Sequence, residues 1–252
     1  QRYILAGDCY QINLAQRFSA RYQGDEWQAY LKLREATPTP FSGFMAWGSQ
    51  AVLSLSPERF IQCRDGLVET RPIKGTRPRG RTPEEDRALS DELLSSTKDR
   101  AENVMIVDLL RNDLGRVCTP GSIRVPQLCQ LESYPNVHHL VSVVQGQLAA
   151  QHSPLSLLTA AFPGGSITGA PKIRAMQIID ELEPCQRSVY CGSLGYIDAR
   201  GSMDTSIAIR TMVADAGTLH VWGGGGLVAD SKADEEYTET LDKIRHLIDA
   251  LE

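Results

Sequence analysis

Lys74 lies in Arg71-Pro72-Ile73-Lys74-Gly75-Thr76, sixteen residues after Glu58 of Ser56-Pro57-Glu58-Arg59-Phe60. An amine attacks carbon only when neutral, and reaching the free base at pH 7 from a reference pKa near ~10.4 costs roughly 4–5 kcal/mol. A protein offsets that cost by desolvating the lysine and setting a proton acceptor beside it. Lys74, held between Pro72 and Gly75 with Glu58 upstream, supplies the residue types for a nucleophile and its proton-transfer partner. The same segment also reads as a solvated lysine in a basic turn, because Arg71, Arg77, Arg79 and Arg81 surround it.

Two further sets of residues have spacing that chemistry can use. Asp99 and Glu102 open one helical stretch, while Glu236 and Glu239 lie on the last one with Lys243 four residues on. Positions i, i+3 and i+7 share a helix face. Four carboxylates brought together would need a cation, and all-oxygen ligation suits Mg²⁺. Either pair alone also suits an N-terminal helical turn, where acidic residues favour the dipole. Gly223-Gly224-Gly225-Gly226 follows a strand-like run, and such a run lets backbone N–H groups approach an anion. It lacks the GxGxxG pattern and a βαβ setting, so it carries no dinucleotide signature. The Gly164 to Lys172 loop is no P-loop either, since Pro171 precedes its lysine and Ile173 follows it. Both glycine segments also fit ligand-free turns. His139 has the chemistry of a hydrogen-bond donor or proton shuttle, and equally of a structural histidine. Arg210 lies among Ile207, Ala208 and Ile209; turned inward it needs an anion, and turned outward it needs none.

The elements that must position these residues are short strands and separate helices. Paired strand-like runs at 44–48 and 51–56, 60–63 and 67–70, and 206–213 and 218–222 flank turns at Ser49-Gln50, Asp65-Gly66 and Asp215-Ala216-Gly217. Turn-linked pairs of this kind point to antiparallel sheet. Helices are expected at 24–36, at 83–114 as one or two, at 154–161, at 171–182 and from 233 to the end. In the fourth, Ile173, Met176, Ile179 and Leu182 form an apolar stripe read as core contact. The fold class is therefore α+β, with no linker or internal repeat dividing residues 1–252, which are read as one domain.

Composition bounds the function. Apolar content of 42% and charged content of 23% are ordinary for a soluble enzyme, and a net charge of −5 argues against a polyanion binder. The basic run at 71–81 has no interleaved aromatics, so a nucleic-acid module is poorly supported. No apolar stretch approaches the ~20 residues that cross a bilayer. Six cysteines without CxxC spacing argue against a disulfide framework or zinc site and for reduced thiols in the cytoplasm. The chain opens at Gln1, and a fragment or processed product is expected.

Taken together, Gly7-Asp8-Cys9-Tyr10-Gln11-Ile12-Asn13, Arg111 to Arg116, Gly164 to Lys172, Met203-Asp204-Thr205 and Gly226 to Ser231 resemble the chorismate-utilising enzymes over essentially the whole chain. That family includes anthranilate, isochorismate and aminodeoxychorismate synthases. The resemblance implies antiparallel sheets packed as a sandwich with helices outside, and a catalytic half without the N-terminal half usual in the family. Lysine at position 74 resembles the aminodeoxychorismate branch, where anthranilate synthases carry alanine.

The resemblance also implies roles. Mg²⁺ would be held directly by Glu102 and Glu239 and through water by Asp99 and Glu236. Gly224, Gly225 and Gly226, with Tyr196, Arg210 and Lys243, would hold the carboxylates of chorismate. Ser166 and Thr168 would line the pocket, and His139 would stand near the reacting ring. Lys74 would attack C2, Glu58 would transfer the proton, and ammonia would then displace Lys74 at C4. Cys191 lacks the Gly-x-Cys-x-Gly setting of a glutaminase, so ammonia is expected from a separate glutamine amidotransferase subunit. Anthranilate- or isochorismate-type chemistry is the alternative within the enzymes. A catalytically silent chorismate-binding fragment is the alternative outside them.

Overall fold

Two-residue turns set the hairpins of this chain, which a computed structural model describes from Gln1 to Glu252. In order the elements begin with α1 (Arg2–Leu5), β1 (Gln11–Arg21), α2 (Glu26–Ala36), β2 (Phe41–Trp47), β3 (Gln50–Ser56), β4 (Arg59–Arg64) and β5 (Leu67–Thr70). Next come β6 (Ile73–Pro78), α3 (Pro83–Ser95), α4 (Thr97–Gly115), β7 (Arg124–Ser133), β8 (Val137–Gln147) and α5 (Pro154–Ala161). The chain ends with β9 (Gly169–Ala170), α6 (Lys172–Leu182), β10 (Ser193–Ile197), β11 (Met203–Ile207), β12 (Thr211–Asp215), β13 (Thr218–Leu227) and α7 (Ala233–Asp249).

Asp65-Gly66 and Ala216-Gly217 have φ of 51° and 75°, and 45° and 76°, so both are left-handed pairs of the kind that close two-residue hairpins. The β2–β3 turn uses Gly48-Ser49, one residue earlier than the expected Ser49-Gln50, because Gly48 takes the left-handed position at φ 58°. The helical stretch at 83–114 divides at Ser96, whose extended backbone ends α3 while its hydroxyl accepts from Asp99 N and starts α4. Thr82 and Pro83 start α3, and Ser153 and Ser156 form a reciprocal capping box on α5.

The chain forms two units. The first comprises Gln1–Arg59, Ile167–Gly195 and Thr205–Glu252. Its six strands run antiparallel in the order β2-β3-β12-β13-β1-β9. One apolar cluster joins Leu33 of α2, Leu53 and Leu55 of β3, Met212 of β12, Val221 of β13, and Ile244 and Leu247 of α7. Truncating a leucine in such a cluster to alanine costs about 2–5 kcal/mol. A smaller cluster holds Cys9 and Ile12 against Ala175 and Ile178 of α6.

The second unit comprises Phe60–Ser166 and Tyr196–Asp204. The second sheet has seven strands in the order β10-β11-β4-β5-β8-β6, with β7 also on β8. Helix α4 packs on β6 and β8. Buried Asn103 donates to Leu140 O at 3.1 Å and accepts from Ser142, whose hydroxyl also receives Cys129 N, so α4, β7 and β8 share one satisfied network.

Two antiparallel sheets with separate helices confirm the α+β class. Two further local expectations change. Only Ile179 of the stripe on α6 faces the core: Ile173 is 70% exposed, Met176 40% and Leu182 50%, while Ala175 and Ile178 join Ile179 inward. The helix is turned by its contacts, since Ala175 abuts Gly169 and Arg174 pairs with Asp8 at 2.8 Å. The expected strand at 206–213 is broken after Ile207, because Arg210 adopts φ 51° before β12 begins.

Candidate active site

Lys74 occupies a β-bulge. Ile73 pairs with Val141 and Thr76 with His139, so β6 spends Lys74 and Gly75 where β8 spends only Leu140. An extra residue re-aims the local side chains, and such bulges recur next to active sites. Gly75 makes the bulge at φ 82°, and a side chain there would crowd Leu93 Cδ1 at 2.8 Å and Asp99 Cγ at 2.9 Å. The backbone beside the lysine thus lies directly on the first turn of α4, where Asp99 and, one turn on, Glu102 share a face. Across the ladder, His139 Nδ1 stands 2.9 Å from Thr76 Oγ1, and its ring centroid lies 5.6 Å from that of Tyr134.

The arginines around Lys74 are engaged by carboxylates. Arg71 pairs with Glu132, and Arg77 reaches Glu92 at 2.9 Å and Asp99 at 3.3 Å. Arg79 grips both oxygens of Asp86, at 2.7 and 2.8 Å. Asp86 also receives Gly80 N and meets Nε2 of buried His138, whose Nδ1 meets Ser133. The Arg79 bond first, and the Gly80 amide second, hold the Asp86 carboxyl far below the usual carboxylate range. These five residues tie α3, β7 and β8 to the segment that follows β6, the strand that carries the lysine.

In the first unit, Glu58 is buried just after β3, where Ser56 Oγ accepts its amide and donates to Ile207 O at 2.6 Å. Arg210 has a left-handed backbone, no ion pair, and a pKa pulled down by desolvation, opposed only by the Tyr190 phenol. A strained, desolvated cation without an anion persists where the surroundings enforce it, and it is a ready carboxylate receptor. Tyr190 is buried and stacks on Trp222 with ring centroids 6.1 Å apart. Burial raises its pKa well above the usual value and pushes the neighbouring Cys191 thiol up to about 12, so both are protonated at pH 7. Tyr196, on β10, is 54% exposed.

The glycine run lies beside that arginine. Pairing of β12 with β13 ends at Met212↔Val221, so Gly223 to Gly226 keep β1 on one edge and have no strand on the other. Helix α7 covers one face: at the position of a Cβ on Gly225, Glu236 Oε2 is 3.2 Å away, Lys243 Nζ 3.7 Å and Glu239 Oε1 4.0 Å. The structure therefore gathers five expected site residues: Gly224, Gly225, Glu236, Glu239 and Lys243. Lys243 donates to Gly224 O at 3.0 Å and pairs with Glu239 at 2.6 Å, while Ser231 donates to Glu236. Gly226 and Thr168 flank β1 from opposite sides, since Asn13 pairs with Gly226 and its amide donates to Thr168 O. Arg187, paired with Glu183, pins this junction by donating to Ile167 O and Asn13 O. Ser166 lies in the short 3₁₀ turn Gly165–Ile167.

Mg²⁺ asks for few carboxylates and retains waters. Glu236 and Glu239, gathered over Gly225, supply hard oxygens of that kind, and Asp99 and Glu102 supply a second pair on α4. Asp99 is shared with Arg77, which suits an outer role through water better than direct ligation. Each pair has the oxygen chemistry that Mg²⁺ takes, and no group of three or more His, Cys, Asp or Glu side chains stands together as a metal site. Sequence reasoning passes over Tyr190 and Trp222, because an isolated tyrosine before a cysteine and one tryptophan in a strand carry no spacing signal.

Residues 1–249 match the family of chorismate binding enzymes. The chain is 58% identical over all its length to aminodeoxychorismate synthase component 1 of Klebsiella aerogenes and 49% identical to anthranilate synthase component 1 of Pseudomonas putida. It spans only 56% and 51% of those proteins. The crystal structure of anthranilate synthase component I from Streptococcus pneumoniae superposes with a TM-score of 0.90 at 41% identity, covering 98% of this chain and 55% of that one. The chain belongs to the family of chorismate binding enzymes.

Proposed function

We propose that this chain carries the catalytic part of an aminodeoxychorismate synthase, which converts chorismate and ammonia to 4-amino-4-deoxychorismate. The observation that carries the reading is the bulge: a left-handed glycine, closely packed on Leu93 and Asp99, sets the lysine beside it out of the regular strand pairing. Identity of 56–58% to three component 1 proteins of that name supports it.

In this reading the Lys74 amine attacks C2 of chorismate, the ring double bonds shift, and the C4 hydroxyl leaves with a proton from Glu58. Ammonia then attacks C4, the shift reverses, and the C2–N bond breaks to release Lys74. Arg210, with Tyr190 beside it, receives one carboxylate, and the open edge of Gly224 to Gly226 receives the other. Glu239 and Glu102 would hold Mg²⁺, with Asp99 and Glu236 through water; bound there, the ion makes the ring carboxylate a better electron sink. His139, set by Thr76, orients at the ring.

Cys191 is a protonated, buried thiol, so this chain contributes no glutaminase nucleophile at that position. The ammonia of the full reaction is assigned to a separate amidotransferase, and free ammonium replaces it in an assay. No helix is long and apolar enough to cross a membrane, and a cytoplasmic location is part of the proposal. The test is chorismate, Mg²⁺ and ammonium with this polypeptide, followed by product mass and amine position. A 4-amino product that disappears on chelation supports the reading. Anthranilate, isochorismate or unchanged chorismate contradicts it.

A further inference from the structure

Strand β3 is buried from Ala51 to Ser56, so both of its faces are covered. Side chains alternate along a strand. Ala51, Leu53 and Leu55 enter the apolar cluster of the first unit, which leaves Ser54 and Ser56 together on the opposite face. A strand covered on both faces usually reads as a continuous apolar run, and these two serines break it. Both hydroxyls are spent on one segment, the residues from Ile207 to Thr211 that carry Arg210.

Ser56 Oγ stands between Glu58 and Ile207. It accepts the Glu58 amide at 3.2 Å and donates to Ile207 O, while the Ile207 amide donates to Glu58 O at 3.1 Å. The backbone of Glu58 is thus fixed at its amide and at its carbonyl. Buried Thr211 holds the other end of the segment. A hydroxyl has one proton to give. That of Thr211 goes to Ile209 O at 3.0 Å, so Ser54 is the donor in the 2.8 Å contact between Ser54 and Thr211. With Leu55 N on Arg210 O and Cys191 N on Ala208 O, every carbonyl from Ile207 to Arg210 has a donor. A left-handed arginine persists only where its surroundings enforce it. The Thr211 bond closes on the peptide just before Arg210, the plane that must rotate for the φ of Arg210 to relax.

We propose that Ser56 and Thr211 are positioning residues: Ser56 aims the carboxyl of Glu58, and Thr211 holds Arg210 in the conformation that presents its guanidinium. Each acts through another residue and not on the substrate. The proposal rests on the chorismate reading and deepens it by assigning the two hydroxyls to separate steps, Ser56 to proton transfer and Thr211 to binding. Ser54, whose single proton goes to Thr211, has neither part.

Ser56→Ala, Thr211→Val, Thr211→Ser and Ser54→Ala are compared with the wild-type chain by melting temperature and by kcat and KM for chorismate, with Mg²⁺ and ammonium present. The three variants that delete a hydroxyl should melt lower, because each loses a buried hydrogen bond. Kinetics should divide them. Ser56→Ala should lower kcat about 100-fold with KM within about threefold of wild type, as expected of a displaced proton donor. Thr211→Val should raise KM about 10-fold with kcat changed less, and Thr211→Ser, which keeps the hydroxyl, should restore KM. Ser54→Ala should keep both constants near wild type. Lower melting temperatures with unchanged kcat and KM in Ser56→Ala and Thr211→Val, or with the same kinetic change that Ser54→Ala shows, overturn the proposal. If Ser56→Ala does not fold, Thr211→Val against Thr211→Ser carries the comparison through KM. Failure of the functional reading looks different: the wild-type chain itself then consumes no chorismate.

Discussion

Arg71, Arg77 and Arg79, around the Lys74 strand, each end on a carboxylate, whereas Arg210, beside the glycine run, ends on none. The contrast extends to neutral groups. The four buried side-chain atoms without a hydrogen-bond partner, Gln11 Oε1, Asn13 Nδ2, Thr37 Oγ1 and Trp222 Nε1, all belong to the first unit, and none to the second. Each such atom costs about 1–3 kcal/mol, so the first unit tolerates a penalty that the second avoids. In the second unit, Asn103-Ser142 and Arg79-Asp86-His138-Ser133 spend every polar group on fixing strands around one amine. The difference separates two tasks: holding a reacting group in place needs satisfied networks, and receiving a ligand needs groups left for it.

Mutations can break that comparison. The largest effect is expected from Lys74→Ala, which should lower 4-amination by roughly 10³-fold or more while the melting temperature stays near wild type. Activity retained within a factor of ten would remove Lys74 from the chemistry. Arg210→Leu should raise KM for chorismate about 10- to 100-fold, the worth of one charge-assisted carboxylate contact, without loss of unliganded stability. A lower melting temperature with unchanged KM would make Arg210 structural instead.

Gly75→Ala tests the opposite behaviour. A left-handed φ and contact with Leu93 and Asp99 should cost about 1–3 kcal/mol of stability and lower kcat together, because the bulge is what aims the lysine. The smallest effect concerns pH. Asp86 has a depressed folded pKa, so its contribution is present above the unfolded value near ~3.9 and is lost as pH falls through the folded one. Asp86→Asn should therefore lower the melting temperature at pH 7 and flatten its decline as pH falls below about 4. Parallel melting curves for variant and wild type across that window would contradict the network.

Sequence patterns revealed the parts of this molecule whose cause is local. Asp65-Gly66 and Ala216-Gly217 announce hairpins because their backbone needs left-handed φ. Glu236, Glu239 and Lys243 were legible by helical spacing alone. Strands β1 and β7 were not. The first buries Gln11 and Asn13 where apolar residues would mark a strand, and the second has two register irregularities that break its period. The buried face of α6 was misjudged because contacts with Gly169 and Asp8, not hydropathy, set its rotation. Tyr190 and the partnerless state of Arg210 depend on tertiary placement that no spacing encodes.

The most direct measurement is the intact mass of the protein incubated with chorismate and Mg²⁺ in the absence of ammonia. A covalent lysyl intermediate predicts a gain equal to chorismate less one water, mapped by peptide digestion to Lys74 and discharged on adding ammonium. A protein that aminates chorismate at C4 normally, yet never carries that mass on Lys74, would contradict it.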